Sequence, residues 1–335
     1  MAQRRQIRVS GGQDGRSERP ATGRGQPGTV VLCFEYGGLM PKRILIQLDC
    51  DPQPSTFDAV VAVDAGAEVL LRHGGITPDN VVPLVHGAMF TRGGGDLAAT
   101  AIFVGGSDVA AAEAVYRRIQ QTFFGPVRVG VMLDPAGANT TASAAVLAAA
   151  RHLPLGDEAA GGRLKALVLG GTGPVGQRVA RLLARRHAHV TVASRSEPRA
   201  AAVCERIRSQ VVDGRLHAVA MPGTAAPTGA FREALEQAEL IVAAGAAGVT
   251  LLDAAGRSLA RAAQVLIDLN AVPPAGIDGV IAVDKAKTDG SLVVYGALGV
   301  GGTKMKIHRA AIARLFESNT AALDAEEMLA IGESL

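Results

Sequence analysis

Residues 165–176 read KALVLGGTGPVG, and this stretch decides the fold. The run Lys165–Leu169 has the character of a buried strand, and the glycines behind it have the G-x-G-x-x-G spacing of a dinucleotide-binding loop. A helical pattern follows from Gln177, and a further apolar strand, Val190–Ala193, follows the helix. This order predicts a Rossmann-type unit, with the phosphates of a dinucleotide at the positive N-terminus of the helix.

The positions of the glycine loop have distinct predicted roles. Gly171 permits the tight turn, Gly173 lets the backbone approach the pyrophosphate, and Gly176 allows close contact between helix and strand. A glycine-rich turn without a ligand is the alternative interpretation of this motif taken alone. The other loop residues that we expect at the cofactor are Thr172, Pro174 and Val175.

The end of the next strand indicates which nucleotide is bound. An acidic residue there would hold the ribose 2′-hydroxyl of NAD, but the chain has Ser194, Arg195 and Ser196, with Arg199 just beyond. A guanidinium with neighbouring hydroxyls suits a 2′-phosphate, so NADP is favoured and NAD stays possible. The alternative for Arg195 is a solvated arginine at a helix start. The remaining expected cofactor contacts are Ala244, Gly245, Asn270 and Gly299.

Strand-like and helix-like segments alternate along the whole chain after Met40, which predicts an α/β fold with mostly parallel strands. We expect two α/β domains: an N-terminal domain over residues 40–152 and a Rossmann-type domain over residues 153–303. Residues 304–335 are expected to form C-terminal helices that pack back on the first domain. Residues 1–39 predict a disordered tail, and Met40 is expected to be the true start.

Composition narrows the function classes. Residues 1–39 contain six arginines and three acidic residues, so the other residues hold 28 basic and 28 acidic side chains of the chain's 34 and 31. A neutral body gives no electrostatic reason to expect binding to nucleic acid or to a membrane. The sequence shows no apolar run long enough for a membrane span and no metal-ligand spacing, so we expect a cytoplasmic protein without a metal.

Segments outside the glycine loop carry a more specific pattern. The most specific in combination are Asn139-Thr140-Thr141, Phe123-Phe124-Gly125-Pro126 and the run from Lys304 through Lys306 to His308-Arg309. From about Met40 to the C-terminus, the pattern resembles the NADP-dependent methylene-tetrahydromethanopterin dehydrogenases of methylotrophic and related bacteria. Further matching segments are Gln47–Asp51, Pro54–Asp58, Ile76–Val81, Thr91–Gly94, Thr100–Gly106, Met132–Asp134 and Gly296–Gly302.

The resemblance implies oxidation of methylene-tetrahydromethanopterin to the methenyl form with NADP, in one-carbon metabolism. It also implies a cleft between two domains and a homo-oligomer, expected to be a trimer. Hydride transfer from a carbon between two nitrogens leaves a resonance-stabilised cation, and no proton moves in that step. Such an enzyme needs two rings held face to face rather than a metal or a general base.

The resemblance places Lys304 near the site of hydride transfer. Lys304 follows Gly299–Gly302 in the sequence, and we expect these residues to form a flexible loop. We expect Lys304 to hydrogen-bond the pterin, and Asp58 or Asp134 to offset its charge. Asn139, Thr140 and Thr141 are expected to point into the cleft, with helix capping as the alternative. Asp49 ends the first strand, where α/β ligands bind, with a turn-forming acid beside Pro52 as the alternative. His308 and Arg309 are interpreted as packing or capping groups.

Three other functions stay open at this point. The chain is alternatively a methylene-tetrahydrofolate dehydrogenase, or another NADP-dependent oxidoreductase of shikimate-dehydrogenase-like architecture. A sensor that binds NADP without catalysis is the third.

Overall fold

The computed structural model describes residues 40–156, 163–221, 223 and 227–335. The predicted disordered tail, residues 1–39, lies outside the described residues, as do residues 157–162. The described part is an α/β structure built on two separate, mostly parallel sheets, which confirms the predicted fold class.

The N-terminal sheet has five strands, and every neighbouring pair is parallel. Its strands are β1 (Ile44–Asp49), β2 (Val69–His73), β3 (Thr100–Gly105), β4 (Gly130–Leu133) and β12 (Ala322–Leu323). Their order is β12-β4-β3-β1-β2, so a strand from the far C-terminus completes the sheet. The connecting helices are α1 (Thr56–Asp64), α2 (Val82–Phe90) and α3 (Val109–Thr122). Strands β3 and β4 lie inside this sheet and are buried at every residue, as parallel strands covered on both faces are.

The second sheet has seven strands in the order β7-β6-β5-β8-β9-β11-β10. These strands are β5 (Lys165–Leu169), β6 (His189–Ser194), β7 (Arg215–Ala220), β8 (Leu240–Ala243), β9 (Val265–Asp268), β10 (Lys287–Asp289) and β11 (Leu292–Tyr295). Only the β10–β11 pair is antiparallel. Without β10, this is the strand order of a dinucleotide-binding fold, and the order reverses between β5 and β8. Ligands of such sheets bind outside the carboxyl ends of the strands at that point. The helices of this half are α5 (Pro174–Arg185), α6 (Glu197–Arg208), α7 (Gly229–Gln237) and α8 (Ala254–Leu259).

An alanine-rich helix, α4 (Ala138–Ala150), lies between the two halves and is buried along nearly all of its length. It packs against α5 from the second half and against α9 (Ala297–Leu315) and α10 (Ala325–Glu333) from the C-terminal region. Small side chains on α4 let these helices approach closely, so one core cluster extends across both halves.

Local turn chemistry accounts for one difference from the sequence prediction. The sequence Thr77-Pro78 predicts a helix that begins at Pro78 with Thr77 as its cap, but α2 begins at Val82. Asn80 instead closes a turn, because its Oδ1 accepts from the backbone N–H of Thr77 and its Nδ2 donates to the carbonyl of Gly75. Strands β10 and β12 and helix α8 have no counterpart in the sequence prediction.

The largest difference concerns the predicted flexible loop Gly299–Gly302, which lies inside α9 and is helical. Glycine costs about 1 kcal/mol in a helix interior relative to alanine, so the local sequence argued against this helix. Tertiary contacts override that preference: the carbonyl of Ala282 accepts from the N–H groups of Leu298 and Gly299 and so caps the first turn. A β-carbon at Gly299 would overlap the carbonyl oxygen of Asp284, so this glycine is needed for close packing.

Candidate active site

The glycine loop follows β5 at the carboxyl edge of the second sheet. The left-handed residue is Gly170, with a φ of +68°, so the tight turn falls one residue before the predicted Gly171. A β-carbon at Gly171 would lie 2.8 Å from Cγ1 of Val192, so Gly171 is a packing glycine. A β-carbon at Gly176 would lie 2.8 Å from the carbonyl oxygen of Gly170, which is the close helix-strand contact expected of the third motif glycine.

The N-terminus of α5 is open towards this loop. Gly173 is the N-cap residue in an extended conformation, Pro174 follows at the start of the helix, and no side chain caps it. Uncapped N–H groups at a helix N-terminus form an anion site that suits the pyrophosphate of a dinucleotide. The side chain of Gln177 braces the loop by donating to the carbonyl of Thr172 at 2.6 Å.

The end of β6 carries the groups expected at a 2′-phosphate. The hydroxyl of Ser194 lies 3.2 Å from that of Thr172, which joins the strand end to the glycine loop. Arg195 and Arg199 are exposed, and Arg195 has neither a hydrogen bond nor an ion pair with another residue of the described ranges. An uncommitted guanidinium beside two hydroxyls fits the 2′-phosphate of NADP.

The residues after β8 and β9 that we expect to contact the cofactor differ in whether their polar groups are free to bind it. Ala244 and Gly245 follow β8, and the α-carbon of Gly245 lies against Gly170 of the loop. The Asn270 side chain is committed: its Oδ1 accepts from the N–H of Val272 at 3.0 Å, and its Nδ2 donates to the carbonyl of Pro274 at 2.8 Å. Asn270 therefore shapes the edge of the site through the backbone that it holds.

A charged cluster lies at the carboxyl edge of the N-terminal sheet. Nζ of Lys304 lies 5.3 Å from the centre of the Phe57 ring, within cation–π range. A β-carbon at Gly137 would lie 2.5 Å from the same Nζ, so Lys304 is seated directly against this glycine. Gly137 has a φ of +63°, which places it in the left-handed region. Phe57 and Gly137 stand within or beside segments that carry the family resemblance, but no local pattern indicates their contact with Lys304.

Asp58 lies on α1 next to Phe57 and is largely buried. The pKa of Asp58 is raised to about 6, chiefly by burial; the Ser55 hydroxyl and Lys304 lower it, and the negative charge of Asp134 raises it. The structure therefore brings Asp58, Asp134 and Lys304 into one electrostatic cluster. Ser55 also caps α1, accepting from the N–H of Asp58 at 3.2 Å.

His308 lies one turn after Lys304 on α9 and is fully buried. Its ring stacks on Phe103 at 5.8 Å, and neither ring nitrogen has a hydrogen-bond partner among the described residues. Burial lowers its pKa, as does the Lys304 charge, while Asp134 raises it. The burial of His308 fits the packing role that we expect for it. No sequence pattern indicates that its two ring nitrogens lack hydrogen-bond partners among the described residues.

Several predicted substrate-binding residues form a buried network instead of pointing into open space. Asn139 and Thr140 are fully buried, and the Thr140 hydroxyl donates to Oδ2 of Asp134 at 2.6 Å. Their backbone N–H groups donate to Oδ1 of Asp134, so this carboxylate caps the start of α4. Thr141 is half-buried. Asp49 is buried, and its carboxylate accepts from the N–H groups of Asp51 and Ser55, which shapes the turn before α1.

Within the described ranges, no group of three His, Cys, Asp or Glu side chains is arranged to bind a metal ion. None of the helices there is long and apolar enough to cross a membrane.

Both halves of the site lie in regions that match known families. Residues 56–136 match the family model described as methylene-tetrahydromethanopterin dehydrogenase, N-terminal. Residues 166–247 match the model described as saccharopine dehydrogenase NADP binding domain.

Similarity to known proteins extends over most of the chain. The chain is 42% identical over 299 residues to the bifunctional protein MdtA of Methylorubrum extorquens, and the alignment covers 88% of this chain and 100% of that protein. It is 34% identical over 270 residues to the NAD(P)-dependent methylenetetrahydromethanopterin dehydrogenase of the same organism, covering 79% and 89% of the two chains. Among solved structures, the 5-ketofructose reductase of Gluconobacter sp. strain CHM43 has a TM-score of 0.48 at 15% identity, covering 88% of this chain and 98% of that chain. A structural likeness this distant carries no inference about activity.

Proposed function

The chain belongs to the family of the methylenetetrahydromethanopterin dehydrogenases, and on that premise we propose that it oxidises methylene-tetrahydromethanopterin to methenyl-tetrahydromethanopterin with NADP. The observation that carries the proposal is that one chain has a candidate ligand site at the carboxyl edge of each sheet. At the second sheet, the uncapped N-terminus of the helix that follows Gly173 suits a dinucleotide. At the N-terminal sheet lies the cluster of Asp58 and Lys304. NADP supplies the acceptor for the hydride.

The second half of the chain holds the dinucleotide. The first turn of α5 and the glycine loop bind its pyrophosphate, because no side chain caps the helix and Gly173 lets the phosphate approach. Arg195 pairs with the 2′-phosphate, and Ser194 and Thr172 offer hydroxyls beside it. The residues that follow β8 and β9 would hold the nicotinamide, on the β8 side of the point where the strand order reverses.

The pterin binds between α9 and the carboxyl ends of β8 and β9. On this helix Gly301 and Gly302 have open space in front of them, and Lys304 follows about one turn later on the same side as Gly301. The Phe57 ring is 52% exposed and offers an apolar face beside the Lys304 ammonium. Lys304 donates a hydrogen bond to the polar edge of the pterin, and Phe57 packs against the ring.

The electrostatics of the cluster suit a product that carries positive charge. Loss of hydride leaves a cation delocalised over the carbon and its two nitrogens, which the Lys304 ammonium alone would destabilise. The carboxylates of Asp58 and Asp134 offset both positive charges. Because no proton moves in this step, the site needs orientation and charge compensation and no general base.

The N-terminal domain, residues 40–152, binds the pterin, and the Rossmann-type domain, residues 153–303, binds NADP. Residues 304–335 pack back on the N-terminal domain. The enzyme works in the cytoplasm and assembles as a homotrimer. The trimer rests on the family resemblance, and light scattering of the purified protein measures the assembly.

One assay tests the proposed function. The purified chain is given methylene-tetrahydromethanopterin or methylene-tetrahydrofolate, each with NADP or NAD, and the methenyl product is followed by its absorbance. We expect turnover of the methanopterin with NADP. Because the 42% identical relative is named as bifunctional, the tetrahydrofolate arm decides whether a second pterin is accepted. Turnover of shikimate in place of either pterin, or NADP binding without any turnover, would overturn the proposal.

A further inference from the structure

Arg178 connects the phosphate-binding helix to the other half of the molecule. It is the fifth residue of α5 and is 5% exposed. All three of its side-chain nitrogens are used: Nε donates to Oδ1 of Asn139, Nη2 pairs with Oε1 of Glu113 at 2.9 Å, and Nη1 donates to the carbonyl of Pro174 at 3.1 Å. One guanidinium therefore joins the start of α5 to both α3 and α4.

Asn139 carries the connection onward. Its Nδ2 donates to the carbonyl of Leu133 at 2.5 Å and to Oδ1 of Asp324 at 2.7 Å, while its Oδ1 accepts from Arg178. Every polar atom of this side-chain amide is committed, so its orientation is fixed. The ends of β4 and β12 are thereby held to α5 through one residue.

From Asn139 the connection reaches Lys304 within a few residues. The Asp134 carboxylate accepts from the N–H groups of Asn139 and Thr140, and the Thr140 hydroxyl also approaches the carbonyl of Gly137 at 3.3 Å. Gly137 is the residue against which the Lys304 ammonium is seated. A continuous set of contacts therefore runs from the dinucleotide helix to the charged cluster of the pterin edge.

We propose that Arg178 is a positioning residue that aligns the phosphate-binding helix with Asn139 and Asp134 and so sets the distance between nicotinamide and pterin. The proposal rests on the proposed function, because it is the transfer between these two rings that requires alignment. Hydride transfer is steeply sensitive to misplacement of the reacting atoms. A planar guanidinium with fixed donor directions holds three partners at once, which a lysine ammonium on a flexible stem does not.

Docking of α5 does not depend on Arg178 alone. One turn later, Arg181 forms ion pairs with Asp324 at 3.1 Å and with Glu326 at 2.8 Å. Loss of Arg178 is therefore expected to change the alignment of α5 while the helix stays docked.

The test compares Arg178→Met with Arg186→Met. Arg186 directly follows α5 and forms an ion pair with Glu333 at the end of α10, so its loss also removes a contact between the helices without touching Asn139. For Arg178→Met we expect kcat to fall by about tenfold or more. The primary deuterium isotope effect on kcat should rise as transfer becomes rate-limiting, with the dissociation constant of NADP almost unchanged. Arg186→Met should keep the wild-type kcat and isotope effect.

A second readout does not depend on activity. In the wild type, NADP should slow hydrogen exchange of the backbone amides at the start of α4, because binding at α5 is transmitted through Arg178 to Asn139. This protection should persist in Arg186→Met and disappear in Arg178→Met. Should Arg178→Met fail to fold, Glu113→Gln removes the charged partner instead and should weaken the same protection.

The outcomes separate the two proposals. A wild type that does not turn over methylene-tetrahydromethanopterin overturns the proposed function, and the exchange experiment still tests Arg178. A wild type that turns it over, with Arg178→Met matching the wild type in kcat and in NADP-dependent protection, overturns the role of Arg178. Equal losses in Arg178→Met and Arg186→Met would show a merely structural contact.

Discussion

Oδ1 of Asp58 lies 3.9 Å from Nε2 of His308, a fully buried histidine whose ring nitrogens have no hydrogen-bond partner among the described residues. This pair lies one helical turn below Lys304. Burial raises the pKa of Asp58 to about 6 and lowers the pKa of His308 below its ordinary value. Above pH 6.5 the pair therefore consists of a carboxylate beside a neutral imidazole, which leaves one negative charge to face Lys304.

The first prediction concerns the pH dependence of kcat/KM. Below pH 6, Asp58 is protonated and does not offset the positive charge at Lys304 and on the methenyl product. We expect kcat/KM for the pterin to rise with pH through an apparent pKa near 6 and then to level off. In Asp58→Asn this inflection should vanish and the plateau should be lower. A wild-type profile that is flat from pH 5 to 8 would show that the Asp58 charge plays no part.

The same group predicts an effect on stability. Asp58 has a folded pKa of about 6 against an ordinary 3.8, so between these values the folded state binds more protons than the unfolded state. Its contribution to the free energy of unfolding is present below pH 4 and is lost as pH rises to 6, by on the order of 2–3 kcal/mol. His308 acts in the opposite direction, losing its contribution as pH falls below 6.5, because its folded pKa is lowered.

Denaturant unfolding of Asp58→Asn and the wild type measures this difference directly. The stability of Asp58→Asn relative to the wild type should increase from pH 4 to pH 7. A difference that stays constant with pH would contradict the raised pKa of Asp58.

Lys304 is expected to act on turnover. Lys304→Ala should lower kcat by about tenfold, equivalent to about 1.4 kcal/mol of barrier, because a hydrogen bond to the pterin is lost. Lys306 is a matched control, since it lies two residues later on α9 and is exposed. Steady-state kinetics of Lys306→Ala should match the wild type. If Lys304→Ala does so as well, Lys304 does not contact the substrate.

Arg195 is expected to determine cofactor preference. Arg195→Ala should raise KM for NADP by about tenfold or more, because a charge-assisted hydrogen bond contributes roughly 1.5–3 kcal/mol, and leave KM for NAD nearly unchanged. Arg206→Ala, an exposed arginine on the neighbouring helix α6, serves as the control. Equal effects of Arg195→Ala on the two cofactors would remove Arg195 from the 2′-phosphate.

Gly137 offers a test of how Lys304 is seated. Gly137→Ala places a residue in the left-handed region, at about 1–2 kcal/mol of stability, and also displaces the Lys304 ammonium. Gly125→Ala carries similar strain, with a φ of +54°, but nothing lies within 4 Å of the added carbon. Thermal unfolding should show comparable losses for both variants, and only Gly137→Ala should lose kcat. Equal activity in the two variants would mean that the position of Lys304 is unimportant.

Local sequence signals were enough for much of the fold. The cap of α3 by Asp108 and the start of α10 at Asp324 follow from short-range side-chain bonding, so both could be predicted. The helical state of Gly299–Gly302 could not, because it depends on the carbonyl of Ala282 from a separate loop. Strand β12 is two residues long and exists through its pairing with β4, which no local pattern encodes.

The candidate site divides in the same way. The dinucleotide loop is contiguous in sequence and was predicted apart from the turn, which falls at Gly170. The contact of Lys304 with Gly137 joins residues far apart in the chain and appears only once α9 packs on α4. Burial could not be inferred for Asn139 and Thr140 either, because polar residues at a helix start serve equally well as caps or as ligands.

The central claim is direct transfer of a hydride between two ligands held by one chain. The most direct measurement uses methylene-tetrahydromethanopterin that carries deuterium on the methylene carbon, with NADP and the purified wild-type protein. We expect one deuterium per turnover in the reduced nicotinamide and none released to water. Release of the label to water, or the absence of any reduced NADP, would contradict the account.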